Sequence, residues 1–359
     1  MPNRMETVTL SKINPTPAVL RTALQLDQAG LIKHEEIEAL ERVGERYSVA
    51  IPAGVVALMD PNDPEDPIAK QFVPDTAELD ALDNELADPI GDHDHSPLPG
   101  LIHRYPDRVL LMPTLSCPVY CRYCFRRDRV GRNAAAPSST DIDSAIAYIK
   151  DRKDIHEVIL TGGDPLSLSD TRLGALLAQL SAVPHLNNLR IHTRVPVSLP
   201  SRVTDRLIKA LRCDLPVWMV LHVNHSRELT TEVANTCERL TRGGIPLLSQ
   251  SVLLKGVNAD IETLSELFRR LIALKVKPYY LHHPDQAQGT ARFRLSLEEG
   301  RAIFDALRGH LSGLCQPTYV VDIPEGYGKV AAQTAAIEQS DQEWRMKDFK
   351  GEIHRYEEI

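Results

Sequence analysis

The chain has 359 residues, of which 43% are hydrophobic and 25% charged, a composition that suits a folded protein and excludes wholesale disorder. Its 41 Lys and Arg against 49 Asp and Glu give a net charge of −8, the wrong sign for a polyanion binder, so no nucleic acid partner is expected. No apolar run approaches the roughly 18 residues that cross a bilayer, and the opening MPNRMETVTL lacks the apolar stretch of a signal peptide, so a cytoplasmic enzyme without a membrane partner is expected.

Residues 1–58 alternate short helical patterns with polar breaks. HEEIEALERVGERYS (34–48) is amphipathic, with Ile37, Leu40 and Val43 on one stripe. From Asp60 to His95 the chain turns acidic and proline-rich, which reads as a linker carrying one short helix. His93 and His95, set among aspartates, read as part of a solvated loop. The expected organisation is an N-terminal helical region and linker (1–95), a main domain (96–330) and a C-terminal tail (331–359).

From Arg108 the pattern is regular. Apolar, β-branched runs at 108–114, 156–162, 188–194, 217–223, 246–254, 277–283 and 318–323 read as strands. Helical patterns such as DIDSAIAYIKDR, TRLGALLAQLSAV and IETLSELFRRLIAL lie between them. Alternating strand and helix means parallel βαβ units. The expected fold class is α/β, an open, incomplete (β/α) barrel of parallel strands with an N-terminal helical extension. A barrel is preferred to a doubly wound sheet because polar residues recur at the C-terminal ends of the strands, where barrel active sites collect.

Six cysteines are too few for a disulfide scaffold; Cys213, Cys237 and Cys315 are scattered and read as small buried hydrophobes. Cys117, Cys121 and Cys124 instead form CxxxCxxC directly after the first strand. Three thiolates in one loop can hold three irons of a [4Fe–4S] cluster and leave the fourth iron open for chemistry. A structural zinc site would need a further Cys or His, and none follows. After the second strand comes Thr161-Gly162-Gly163-Asp164-Pro165, by itself an ordinary strand-to-helix turn. The last strand runs into IPEGYGK, where Lys329 sits among small residues. A lysine there could form a Schiff base with pyridoxal phosphate (PLP), although a solvated lysine is the simpler reading of that segment alone.

The CxxxCxxC spacing resembles the radical S-adenosylmethionine (SAM) superfamily, and the GGDP turn in register after it resembles the segment that meets SAM. From about residue 97 to 330 the chain resembles the lysine 2,3-aminomutase family, through PGLIHRYPDRVLL, CRYCFRR, LTGGDP, RVPVSLP, QSVLLKGVN, PYYLHHPDQAQGTARFR and VVDIPEGYGK. The resemblance implies a [4Fe–4S] cluster on Cys117, Cys121 and Cys124, SAM near Gly162, Gly163 and Asp164, and PLP on Lys329; His222, at the end of a strand, is read as lining the SAM region. It implies that Arg104, Tyr105, Arg108, Gln250 and Ser251 surround PLP. Arg126 would pair with the substrate α-carboxylate, and Asp285 and Asp322 would hold the distal ammonium of L-lysine. One fixed cation and two anions suit such a substrate on charge alone. His192, Arg194 and Asn224, at the ends of strands, are read as lining the SAM site or barrel mouth.

The activity so implied is a radical 1,2-amino migration that turns L-lysine into β-lysine, with an electron donor such as flavodoxin or ferredoxin. Two departures stand out. The C-terminal stretch has no cysteine and Asp260 follows GVNA, so the zinc of clostridial-type members is not expected. Glu325 and Tyr327 also interrupt what is an almost pure glycine run in those members. The rival readings are the same chemistry on another amino acid, the branch that makes β-lysine for elongation factor P, and a non-catalytic iron–sulfur electron carrier or redox sensor. A homo-oligomer is left open.

Overall fold

The computed structural model describes residues 18–80, 82–131, 135–333, 337–340, 343–348 and 350–356. The opening MPNRMETVTL lies outside them. Nine strands form one sheet: β1 (Leu101–Tyr105), β2 (Arg108–Thr114), β3 (Glu157–Gly162), β4 (Asn188–Thr193), β5 (Val217–His222), β6 (Leu247–Val252), β7 (Val276–His282), β8 (Thr318–Ile323) and β9 (Gly328–Ala331). Their spatial order follows the sequence, and β2 through β8 pair in parallel. Both outer strands are antiparallel: β1 folds back on β2 through the turn at Pro106 and Asp107, and β9 folds back on β8. Neither outer strand is among the seven runs read as strands from the sequence, and the segment carrying Lys329 continues as an edge strand.

Helices α1 (Ser139–Lys150), α2 (Asp170–Ser181), α3 (Asp205–Ala210), α4 (Thr231–Arg242), α5 (Ile261–Ala273) and α6 (Leu297–Ala306) connect the parallel strands. Each begins at a Ser, Thr or Asp whose side chain accepts from a backbone N–H of the first turn, including Asp260 ahead of α5. Alternation along the strands divides the sheet into two faces. On β4, Leu189, Ile191 and Thr193 are buried, the first two in the helix-covered core, whereas Asn188, Arg190 and His192 line a cavity on the other face. Side chains from all nine strands reach that one cavity of about 900 Å³, so the sheet is curled into an open barrel. Its interior is an open chamber that carries charged side chains among apolar ones, rather than the packed core of a closed eight-stranded barrel.

The N-terminal helix Ile37–Arg46 buries Leu40 and Val43 as its pattern predicts. A neighbouring apolar cluster joins Leu20, Ile51, Val55 and Phe72 to Val119 of the cysteine loop, so this region braces that loop. The acidic stretch after it requires a correction. Asp66, Glu78, Glu85 and Asp92 are buried rather than solvated, and each meets arginines of the barrel. Residues 60–95 are thus a strap across the barrel mouth and not a linker. His93 is largely exposed beside Asp88, as expected, but His95 packs against Gly326. The stretch read as a tail contains a three-stranded antiparallel sheet, Ile337–Ser340, Glu343–Lys347 and Ile353–Tyr356.

Candidate active site

The loop after β2 brings Cys117, Cys121 and Cys124 to the cavity, with no disulfide among them. Burial pushes the Cys117 thiol well above its usual value and the Cys124 thiol up to about 11, which disfavours a free nucleophilic thiolate and leaves the charge of bound iron to stabilise the ionised form. The loop is fixed from the strap. Arg122 donates through Nε to both carboxylate oxygens of Glu78 at 3.0 and 3.1 Å, and Arg127 also meets Glu78. Arg194, whose guanidinium also meets Tyr123 and Glu228, approaches Cys121 Sγ at 3.4 Å.

The glycine turn after β3 crosses directly over this loop. Gly163 N–H donates to Thr114 O at 2.9 Å, and a Cβ on Gly163 would collide with the backbone of Leu115 and Ser116. Only a residue without a side chain permits that approach. Asp164 is buried and accepts from Thr193 Oγ1 and the backbone N–H groups of Leu166, Arg194 and Val195, so it ties the loops after β3 and β4 together. Burial pushes its carboxyl up despite those donors. Gly162, Gly163 and Asp164 all line the cavity, as do His192, Arg194 and His222.

Lys329 sits directly across the β8–β9 pair from Asp322, and its Nζ donates to Asp322 Oδ1 at 2.7 Å. Its own N–H donates to the Tyr105 hydroxyl at 2.8 Å. The reversal before it uses Glu325 at φ +62, a left-handed conformation that an L-residue adopts at a cost. His282 Nδ1 lies 3.5 Å from Asp322 Oδ2. Burial alone would raise the Asp322 carboxyl, but His282 and Lys329 hold it well below the usual range. Asp285 faces the same space, and burial together with Asp322 pushes it up to about 7. Arg126 is buried and donates through Nε to Asp92 at 2.8 Å.

Arg104, Tyr105, Arg108 and Gln250 line the cavity too, with the Arg108 guanidinium 3.8 Å from the centre of the Tyr105 ring. Two expected residues are not brought there. Ser251, next to Gln250 on β6, points to the opposite face and donates to Val223 O at 2.5 Å, because adjacent strand residues face opposite ways. Asn224 is fully buried outside the cavity, where it bonds Gln71 and the backbone N–H of Val252. Conversely, the sequence reading passed over Asp92, Glu78, Arg190 and His282. Of these, His282 was open to discovery, since it ends a strand as His222 does.

The residues present fit the three groups implied above. Three thiols converge at the mouth, a lysine amine enters the chamber, and the buried Nε2 atoms of His192, His222 and His282 have no protein partner. Burial holds all three imidazoles below their usual pKa, so they enter as neutral donors or acceptors.

Among known proteins, the radical SAM superfamily matches residues 111–268, and the family described as lysine-2,3-aminomutase matches residues 304–359. The L-lysine 2,3-aminomutase of Clostridium subterminale is 40% identical over 340 residues, covering 94% of this chain and 82% of that one. The enzyme of that name from Acetoanaerobium sticklandii is 41% identical over 325 residues, covering 90% and 78%. The glutamate 2,3-aminomutase of Clostridioides difficile is 38% identical over 295 residues, covering 82% and 70%. With this likeness carried along almost its whole length, and with a cysteine loop, glycine turn and cavity lysine around one chamber, the chain belongs to the lysine 2,3-aminomutase family of radical SAM enzymes.

Proposed function

We propose that the chain is a lysine 2,3-aminomutase that converts L-lysine to β-lysine. Overall identity does not choose the substrate, since relatives named for lysine and for glutamate are similar to this chain at 40% and 38%. The observation that carries the choice is the pair Asp285 and Asp322, two carboxylates facing one space in which Asp322 already holds an ammonium, that of Lys329. A second carboxylate on the substrate would be repelled there, whereas a distal ammonium is matched. Arg126 offers the opposite charge for the α-carboxylate, and the two ends together hold the carbons between them in register with the cofactors. When bound, the cluster and SAM supply a carbon radical that removes a hydrogen atom, and PLP supplies the conjugated ring that carries the migrating nitrogen. Cys117, Cys121 and Cys124 would hold the cluster, Lys329 the PLP, and the walls of the chamber keep water from the radical. The electron would come from a small donor such as flavodoxin or ferredoxin. A cytoplasmic setting fits cysteines that are all free.

The test is an anaerobic assay of the reconstituted enzyme with lysine, alanine and glutamate. Lysine should be preferred, and turnover of glutamate at a comparable rate would overturn the reading. Asp285→Asn or Asp322→Asn should lower kcat/KM for lysine at least about tenfold, or about 1.4 kcal/mol, less than the full loss of a buried partner because the pocket opens to the mouth. The sign of the pH effect follows from Asp285. Below about 7 its carboxyl is largely neutral and the ammonium has one anionic partner; above, it has two. The KM for lysine should therefore fall as pH rises through that value, and Asp285→Asn should flatten the dependence. Full lysine activity in both single variants would remove these residues from the substrate site.

A further inference from the structure

Asp92 is the strap acid that pairs with Arg104 and Arg126, two arginines lining the chamber. It is 1% exposed, and its two oxygens face different arginines: Oδ2 accepts from Arg126 Nε at 2.8 Å and Oδ1 from Arg104 Nη2 at 3.0 Å. Arg129 Nη1 lies 3.9 Å from Oδ2. Backbone bonds hold the acid in place, since its N–H donates to Asp88 Oδ1 at 2.9 Å and its carbonyl accepts from Ser96 Oγ at 2.6 Å. One carboxylate against three guanidinium groups leaves an excess of positive charge, more than a neutral structural pair would require. A carboxylate on Nε also fixes the guanidinium plane while leaving the terminal nitrogens for a second carboxylate.

The same strap grips the chamber at a second point. Gly91 lies so close to the backbone of Glu325 and Gly326 that a Cβ there would collide with it, and His95 packs against Gly326. Those residues form the turn that leads into Lys329. The arginine beside the substrate and the lysine that faces it are thus carried against one short buried segment.

We propose that Asp92 is a positioning residue that aims Arg126 at the substrate α-carboxylate and links it to Arg104 and to the turn that presents Lys329. The inference rests on the role given to Arg126 above. It separates Asp92 from the other strap acids, because Glu78 and Glu85 tie arginines without reaching Arg126.

The experiment compares L-lysine with 1,5-diaminopentane, which is lysine without its carboxylate. Holoenzyme carrying cluster and PLP is titrated with each compound, following the PLP absorption band, and kcat and KM for lysine are measured in parallel. In the wild type, lysine should bind tighter than the diamine. Asp92→Asn should raise the half-saturating lysine concentration about tenfold or more while moving that of the diamine less than about threefold, since only the carboxylate contact is misaimed. Its effect should fall on KM more than on kcat, with iron content unchanged. Asp92→Glu keeps the charge but displaces it, and should lose part of the discrimination. Equal weakening of both ligands in Asp92→Asn would mean a general structural role, and no change would mean none; either overturns the proposal. If Asp92→Asn does not fold, wild-type discrimination in Asp92→Glu overturns it. If the wild type itself fails to prefer lysine to the diamine, the role of Arg126 is wrong and the proposal falls with it, an outcome visible before any variant is measured.

Discussion

Alanine at any one of Cys117, Cys121 or Cys124 should abolish reductive cleavage of SAM, and the triple variant should bind no [4Fe–4S] cluster. Three protein ligands are the minimum that holds such a cluster while keeping one iron open, so the loop has no spare thiol. The remaining cysteines cannot substitute: Cys237 and Cys315 are buried in the helix-covered core, and Cys213 packs against it. The variants should still fold, because the loop is anchored by Glu78 on Arg122 and Arg127, by Val119 in the N-terminal apolar cluster and by Arg194 on Tyr123. Loss of cluster without loss of fold is therefore the expected pair of results, read by iron and sulfide analysis alongside circular dichroism. A full complement of iron and sulfide in the triple variant would contradict the assignment.

The seven parallel strands were legible because each is an apolar run whose outer face must meet helices, whatever its inner face does. Their inner faces were legible only in part. NLRIHTR alternates, yet the alternation alone does not say that Arg190 would pair with Glu157 inside a barrel. The edge strands were missed for a different reason. Leu101–Tyr105 and Gly328–Ala331 are short, and most of their residues are partly exposed or exposed, so neither carries an apolar signature. The strap was the largest omission. Glu78 and Asp92 look like any solvated acids in a proline-rich run, and their partners lie at least 12 residues further along, 34 or more for all but Arg104, a separation that no local pattern reports. The one available hint was an acid-rich stretch with few bases, followed by the arginine-rich CRYCFRRDR. Ser251 is the reverse case: period two already implied that it and Gln250 could not both face the chamber.

Lys329→Ala should eliminate covalent PLP while leaving iron and sulfide content at the wild-type level. Lys329 is the lysine that lines the chamber among the described residues, and its position there is set by backbone rather than by its amine. The β8–β9 register places it opposite Asp322, and the bond from its N–H to Tyr105 remains in the variant. What alanine removes is the amine and its contact with Asp322, which keeps His282 as a neighbour. The cluster should be unaffected because the cysteine loop is held through Glu78, Val119 and Arg194, none of which belongs to the Tyr105, Asp322 and His282 set around the lysine. Borohydride reduction followed by digestion gives a decisive readout: in the wild type the pyridoxyl label should lie on the peptide containing Lys329, and in the variant no labelled peptide should be found. A stoichiometric label on a different lysine in the wild type would show that the amine facing Asp322 is a substrate-site residue rather than the cofactor's attachment point. It would also weaken the case for placing PLP beside Tyr105 and Arg108, since Tyr105 meets Lys329 through its backbone N–H and Arg108 stacks on the Tyr105 ring.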